Sequence, residues 1–225
     1  ATSWAYDNIK YWPSNPNHMI SFFAYAPYEA APAVGTNKGI VLSGKTDKGI
    51  PFIDFTLKDA TKLTEMVDLV VADQHDQKYS ENSGTVNFKF GHILSKVLFK
   101  VKLKNALSGN TRIFVKKLEI LGTTNNGTSK FYTKAEYKNQ HWQYDAANIP
   151  ATDFDVANIM NVAAVSGVGD YTKTAIEATT SAKSLFKDGE FLFLIPVNDS
   201  ETPGVETGTT ANGEIKVRLT YDAIT

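Results

Sequence analysis

Alternation of apolar and polar residues is the dominant pattern of this chain, and it predicts short β-strands. Its clearest case is residues 85–104, where apolar side chains occupy every second position from Val86 to Phe90 and again from Val97 to Leu103. The positions between the later apolar residues are lysines: Lys100, Lys102 and Lys104. A period of two residues is typical of antiparallel strands with one buried and one wet face. The segment therefore predicts a central β-hairpin, with His92 in its connection.

Further runs of β-branched and aromatic residues flank this hairpin, and Gly-, Asn- and Ser-rich turns separate them. They cover residues 8–12, 19–25, 39–42, 51–56, 67–72, 111–121, 130–137, 141–144, 190–196 and 214–221. In residues 111–121 the apolar phase changes at Lys116 and Lys117, which predicts a β-bulge. One helix is predicted, over residues 57–66. The pattern as a whole predicts an all-β fold.

The chain length of 225 residues permits one large β domain or two smaller ones. The polar stretch 121–130, LGTTNNGTSK, is the best candidate for a boundary, which predicts domains over residues 1–122 and 123–225. Residues 148–187 have weak periodicity and are interpreted as a long excursion within the second domain.

Composition excludes several classes of function. A net charge of −1 with scattered basic residues provides no electrostatic surface for nucleic acid. The absence of cysteine excludes disulfides, thiolate metal sites and cysteine nucleophiles. The longest apolar run, residues 191–197, is far shorter than the roughly 20 residues that span a bilayer. The chain begins at Ala1 with no signal-peptide pattern, so we expect a mature, exported form that does not span a membrane.

Candidate chemistry is sparse. Residues 39–46, GIVLSGKT, match the pattern of a phosphate-binding loop, but the apolar run Ile40 to Leu42 favours a strand, and a turn follows instead of a helix. Asp73, His75 and Asp76 could contribute metal ligands, although a solvated loop is the expected interpretation. No nucleophile–base pair is recognisable. We therefore expect a protein without a cofactor or catalytic activity.

Two groups of side chains leave alternatives open. The lysine row at residues 100–104 could bind an acidic ligand, or it could be a solvated face that guards a sheet edge against pairing. Trp142 and Tyr144 could stack on sugar rings if exposed, or fill a β-sandwich core if buried.

Several segments together resemble the fimbrillin-like family. The matching stretches, in chain order, are SWAYDNIKYWP (3–13), FAYAPY (23–28), VDLVVA (67–72), NFKFGHILSKVLFKVK (87–102) and FLFLIP (191–196). The resemblance implies two tandem transthyretin-like antiparallel β-sandwiches and a subunit or adhesin of surface fimbriae of anaerobic Gram-negative bacteria. It also implies a lipoprotein precursor, export through the outer membrane, and assembly in which a strand of one subunit completes the sheet of the next.

Two hypotheses about interaction sites follow. Family members usually carry strands before and after the matched segments, so both sandwiches are expected to present an unpaired edge to other fimbrial subunits. The candidate edge is residues 214–221, through Ile215, Val217, Leu219 and Tyr221. The alternative is a monomeric surface module that binds host glycans or host proteins through Trp142 and Tyr144. A buried Trp142 indole would argue against that alternative.

Overall fold

The computed structural model describes residues 11–30, 38–44, 49–58, 63–122, 131–156, 176–197 and 215–225. Within these ranges the helical elements are single turns at Leu63–Glu65, Tyr79–Asn82 and Ala146–Asn148. The strands are β1 (Ile20–Ala26), β2 (Ile40–Leu42), β3 (Phe52–Thr56), β4 (Val70–Gln77), β5 (Gly91–His92), β6 (Ser95–Val97), β7 (Lys100–Val101), β8 (Arg112–Ile120), β9 (Lys134–Lys138), β10 (His141–Gln143), β11 (Phe154–Asp155), β12 (Ile176–Ala178), β13 (Lys183–Ser184), β14 (Leu192–Leu194) and β15 (Val217–Ile224).

All pairings among these strands are antiparallel, so the predicted all-β antiparallel fold class is confirmed. In the described ranges no helix has the length and apolar character needed to cross a bilayer. The arrangement as two tandem sandwiches stays a prediction.

The chain divides into two compact units. The first comprises Ala1–Tyr28 and Leu69–His92. Its sheet has the strand order β1-β4-β5. On this sheet Phe22 packs against Trp12 with ring centroids 5.6 Å apart, and Trp12 meets Tyr79 edge-on at 6.0 Å. Contacts between aromatic rings thus contribute to the packing of this small unit.

The second unit comprises Glu29–Asp68 and Ile93–Thr225. One sheet has the order β10-β9-β3-β2, and a second is built on β8, which pairs with β11 and β12 on one side and with β15 on the other. The second unit also contains two separate two-stranded sheets, β13 with β7 and β14 with β6. Its core consists of side chains with almost no solvent exposure, among them Ile40, Phe55, Phe114, Val115, Ile120, Phe131, Tyr132, Val156, Leu192 and Ile195.

Local sequence explains one hairpin turn, and a long-range ion pair joins two strands of the other sheet. Asn139 and Gln140 join β9 to β10 with φ of 50° and 65°, the left-handed conformation of a two-residue hairpin turn. At the end of β8, Arg112 donates to both carboxylate oxygens of Glu177 on β12, at 3.0 and 2.7 Å. This hydrogen-bonded guanidinium lowers the pKa of the Glu177 carboxyl below its ordinary value.

The predicted hairpin over residues 85–104 is wrong. Residues 85–90 form no regular strand, and β5 pairs with β4 of the first unit. β6 and β7 instead pair with β14 and β13, which lie about 80 to 100 residues later in the chain. Alternation identifies which residues share a face, but it carries no information about the strand that will lie alongside.

The compact units also divide the chain differently from the predicted boundary between residues 122 and 123. β3, before that position, pairs with β9, after it, and β8 pairs with β11, β12 and β15, all beyond it. The predicted helix over residues 57–66 is partly outside the described residues, and its described end is the single turn Leu63–Glu65.

Candidate functional site

The last strand of the chain, β15, is the candidate interaction site, and its position is set by its register on β8. Val217 lies opposite Ile120, and Leu219 lies opposite Leu118. The register shifts between Thr220 and Tyr221, because Tyr221 lies opposite Val115 and one extra residue of β8 is accommodated. The β-bulge predicted at Lys116 and Lys117 is therefore confirmed.

The apolar side chains of β15 lie on the core face of the sheet but are poorly covered. Directly opposed residues of an antiparallel pair project to the same side of the sheet. The partners on β8 are almost completely buried: Ile120, Leu118 and Val115. By contrast, Val217 and Leu219 each remain 40% exposed and Tyr221 56% exposed. The hydrophobic core therefore covers the side chains of β15 only in part.

The backbone of β15 also presents polar groups away from β8. The amide of Leu121 donates to the carbonyl of Lys216 at 2.9 Å, so the polar groups of Lys216 point toward β8. Because these directions alternate along a strand, those of Val217 and Leu219 point outward. On the other side of β8, the amide of Val156 donates to the carbonyl of Leu118 at 3.1 Å. The backbone groups of Leu118 therefore point away from β15, which agrees with the outward direction of those of its partner Leu219. In the described part of the chain, no strand pairs with this outer edge.

A charge network on the opposite face fixes β15 to its neighbours. Arg218 of β15 donates to Asp153 at 3.0 Å and lies 3.5 Å from Glu119 of β8. Lys117 contacts the second oxygen of Glu119 at 2.6 Å, and the Gly122 amide donates to Asp153 at 3.0 Å. Because both carboxylates are nearly buried, a displacement of β15 would remove the guanidinium that they share, although Lys117 would stay beside Glu119.

Replacing Arg218 by glutamine is therefore expected to lower the free energy of unfolding by about 1–2 kcal/mol, since it removes the guanidinium that two poorly hydrated carboxylates share, while Lys117 still contacts Glu119. Chemical denaturation followed by circular dichroism measures this. The matched control is Lys116→Gln, which breaks the more exposed pair with Asp222 at 3.2 Å and is expected to cost less than about 1 kcal/mol. Equal losses in the two variants would contradict the role given to Arg218.

The residues proposed from sequence for this edge are only partly in the strand. Val217, Leu219 and Tyr221 lie on β15 with exposed side chains, whereas Ile215 precedes the strand and is only partly exposed. The charge network around Arg218 does not follow from the sequence pattern. An arginine between two apolar strand positions was a signal for it, but Asp153 and Glu119 become its partners only through the sheet.

Trp142 and Tyr144 are not available as a ligand site. The Trp142 indole is 6% exposed, packs against Phe55 and Tyr137, and donates to the carbonyl of Ile93 at 2.9 Å. The Tyr144 hydroxyl donates to the carbonyl of Pro196 at 2.5 Å. Buried rings with satisfied polar atoms cannot stack on a sugar, so the structure contradicts the condition on which the alternative hypothesis depended.

The remaining candidates carry no recognisable chemistry. Ile40–Leu42, within the stretch resembling a phosphate-binding loop, is strand β2, and residues 45–48 lie outside the described residues. His75 and Asp73 form a pair at 2.6 Å on β4. No group of three or more His, Asp or Glu residues able to hold a metal ion occurs where side chains are described.

Comparison with known proteins shows the family of this β-sheet protein. The sequence profile of the fimbrillin-like family matches residues 1–223. This chain belongs to the fimbrillin-like family. It is similar to the fimbrium subunit Fim1C of Phocaeicola vulgatus, with 38% identity over 99% of the chain and 58% of that protein.

A solved structure is similar as well. The crystal structure of a fimbrial protein from Bacteroides vulgatus aligns with a TM-score of 0.75 and 34% identity. The alignment covers 99% of this fimbrillin-like chain and 66% of the solved chain. The chain thus spans less than two thirds of the length of either relative.

Proposed function

We propose that this fimbrillin-like chain is a structural, non-catalytic subunit of cell-surface fimbriae and that it assembles by adding a strand from another subunit to β15. The observation that carries the proposal is the outer edge of β15, where exposed apolar side chains and outward backbone groups coincide. Support for a fimbrial location comes from the two relatives, which are described as a fimbrium subunit and a fimbrial protein.

Strand addition suits the chemistry of this edge. An incoming strand would receive the outward N–H and C=O groups of Val217 and Leu219, while its alternate apolar residues would cover the exposed parts of their side chains. Fully burying one such side chain contributes about 1.5–3 kcal/mol, so covering the exposed fractions of Val217, Leu219 and Tyr221 is worth about 2–4 kcal/mol. Backbone hydrogen bonds would add about 1 kcal/mol each.

The export route through the outer membrane, the lipoprotein precursor and any host ligand stay predictions. A monomeric glycan-binding role is not proposed, because the aromatic residues on which it depended are buried.

A peptide scan of the purified chain tests the proposal. Overlapping peptides that tile the Fim1C sequence and this chain are added, and thermal unfolding is measured. We expect peptides from regions of Fim1C that match this chain, or from this chain itself, to raise the melting temperature, since a ligand that binds only the folded state stabilises it. Leu219→Glu should abolish the effect, because a charge would have to be buried beneath the incoming strand.

Leu107→Glu is the matched control, because Leu107 is exposed to a similar extent, 38%, outside the strands. The proposal fails if no peptide acts or if the response survives in Leu219→Glu. It also fails if the active peptides come only from the part of Fim1C beyond the match, since the edge would then be covered within one subunit.

A further inference from the structure

A second surface, separate from β15, has a regular pattern of charge. From residue 96 to residue 104 every even-numbered side chain is exposed, and every odd-numbered one is partly buried. Four of the five exposed positions are lysines, and the fifth is leucine: Lys96, Leu98, Lys100, Lys102 and Lys104. At about 3.3 Å per residue, alternate side chains of an extended chain are about 6.6 Å apart, so this lysine row is about 26 Å long.

The backbone beneath the lysine row has one paired and one open side. The amide of Leu185 donates to the carbonyl of Phe99 at 2.9 Å, and the amide of Leu103 donates to the carbonyl of Thr179 at 2.8 Å. Odd-numbered residues therefore point their polar groups toward residues 179–185, and even-numbered residues such as Lys100 and Lys102 point theirs to the other side. Among the described strands, none pairs with that second side of β6 or β7.

The lysine row differs from the lysines of β8 and β9 in having no carboxylate partner among the described residues. Lys116, Lys117 and Lys134 each contact a carboxylate, at 2.6 to 3.3 Å. For Lys100, Lys102 and Lys104 no ion pair occurs with the described part of the chain. Across the ladder Lys100 faces Ser184, a neutral side chain whose hydroxyl donates to the carbonyl of Phe186. Within the described ranges, these three lysines thus keep their positive charge without an ion pair, on a chain whose net charge is −1.

We propose that the lysine row and its open edge form a docking surface for an extended acidic segment of another protein, with Asp or Glu at alternate positions. Two observations favour a polypeptide strand over other polyanions. An added strand has the same spacing of about 6.6 Å between alternate side chains, so each carboxylate meets one lysine. It can also accept and donate the backbone hydrogen bonds that the open edge leaves available.

The same charges exclude a second copy of this surface. Like charges directly opposite each other destabilise a strand pair, and edge lysines are a common protection against edge-to-edge association. The surface is therefore selective for acidic strands and, unlike the β15 edge, does not depend on apolar covering. It is independent of the proposed function of β15.

Binding of designed peptides to the purified chain tests this. An extended peptide of alternating Glu and Thr, as long as the row, is titrated by fluorescence anisotropy beside Gln-Thr and Lys-Thr versions. We expect the Glu-Thr peptide to bind at least about ten-fold more tightly than the Gln-Thr peptide and to weaken as salt rises from about 0.05 to about 0.5 M. The Lys-Thr peptide should not bind.

Substitutions of the lysines test whether the Glu-Thr peptide binds at the lysine row. The triple substitution Lys100→Gln, Lys102→Gln, Lys104→Gln should weaken binding of the Glu-Thr peptide by at least about ten-fold, and the corresponding lysine-to-arginine triple should retain it, because the charges are kept. A triple of equal charge change elsewhere, Lys78→Gln, Lys89→Gln, Lys138→Gln, is the control and should bind normally.

Three results would overturn the proposal. Equal loss in the control triple would mean that only net charge matters. Binding of dextran sulfate together with no binding of the Glu-Thr peptide would assign the surface to anionic polysaccharides. If neither dextran sulfate nor the Glu-Thr peptide binds, the lysine row serves only to protect the sheet edge against pairing with another strand.

Discussion

Replacing Gly39 by alanine is expected to lower the free energy of unfolding by about 2–5 kcal/mol. Gly39 has a φ of +72°, and a Cβ built on it would lie 2.1 Å from the carbonyl oxygen of Thr56. The left-handed conformation alone costs a non-glycine residue about 1–2 kcal/mol, and overpacking adds about 1–3 kcal/mol. Relief would require separating β2 from β3, where the Thr56 amide donates to the Gly39 carbonyl at 2.8 Å.

Gly49→Ala is a close control for this substitution. Gly49 also has a positive φ, +98°, but apart from its chain neighbours no atom of the described residues lies within 4 Å of the position its Cβ would take. We expect it to cost only the conformational part, about 1–2 kcal/mol, when both variants are unfolded in urea and followed by circular dichroism. If the two variants lost the same free energy, the close approach of Gly39 to Thr56 would be unimportant. A larger loss for Gly39→Ala would assign Gly39 to strand packing. It would therefore bear on the interpretation of residues 39–46, which match the pattern of a phosphate-binding loop.

Replacing Trp142 by alanine is expected to cost about 3–5 kcal/mol, the usual loss for removing a large buried aromatic side chain. The indole fills the space between Phe55 on β3 and Tyr137 on β9, so its loss leaves a cavity beside two sheet strands. It also removes the hydrogen bond to the carbonyl of Ile93. Chemical denaturation with a circular dichroism signal, which does not depend on the tryptophan itself, measures the effect.

Two further variants show how much of this loss of stability comes from the buried ring of Trp142. Trp142→Phe keeps much of the apolar volume and should cost less than Trp142→Ala, because mainly the indole N–H and part of the ring are lost. Tyr28→Ala, at an aromatic residue that is 71% exposed, should change stability by less than about 0.5 kcal/mol. A Trp142→Ala protein as stable as the Tyr28→Ala protein would show that the indole is not part of the core, and would reopen its use as a ligand surface.

Much of the secondary structure could be predicted from local sequence. β8 was expected over residues 111–121 and occupies Arg112–Ile120, and the bulge at Lys116 and Lys117 followed from a change of apolar phase. β15 was also expected, although it lies a few residues later than predicted, at Val217–Ile224. These features depend on residues adjacent in the chain, which is why composition and periodicity suffice to find them.

The candidate site was only partly predictable. Exposed apolar residues on β15 were anticipated, but the partners of Arg218 were not, because Glu119 and Asp153 lie 99 and 65 positions away in the chain. Trp142 shows the converse case. A tryptophan between polar residues is compatible with either a binding surface or a core position, and only the packing of β3 and β9 around it decides for the core.

The sequence by itself determined that this is a β protein of the fimbrillin-like type, which side chains share a strand face, and that residues 100–104 carry alternate lysines. Only the tertiary structure decided which strand lies beside which. Residues 85–104, predicted as one hairpin, divide between β4 on one side and β13 and β14 on the other. The reason is physical: alternation specifies the faces of a strand, whereas its edges are assigned by long-range pairing. The two interaction surfaces proposed here both depend on edges that this pairing leaves open.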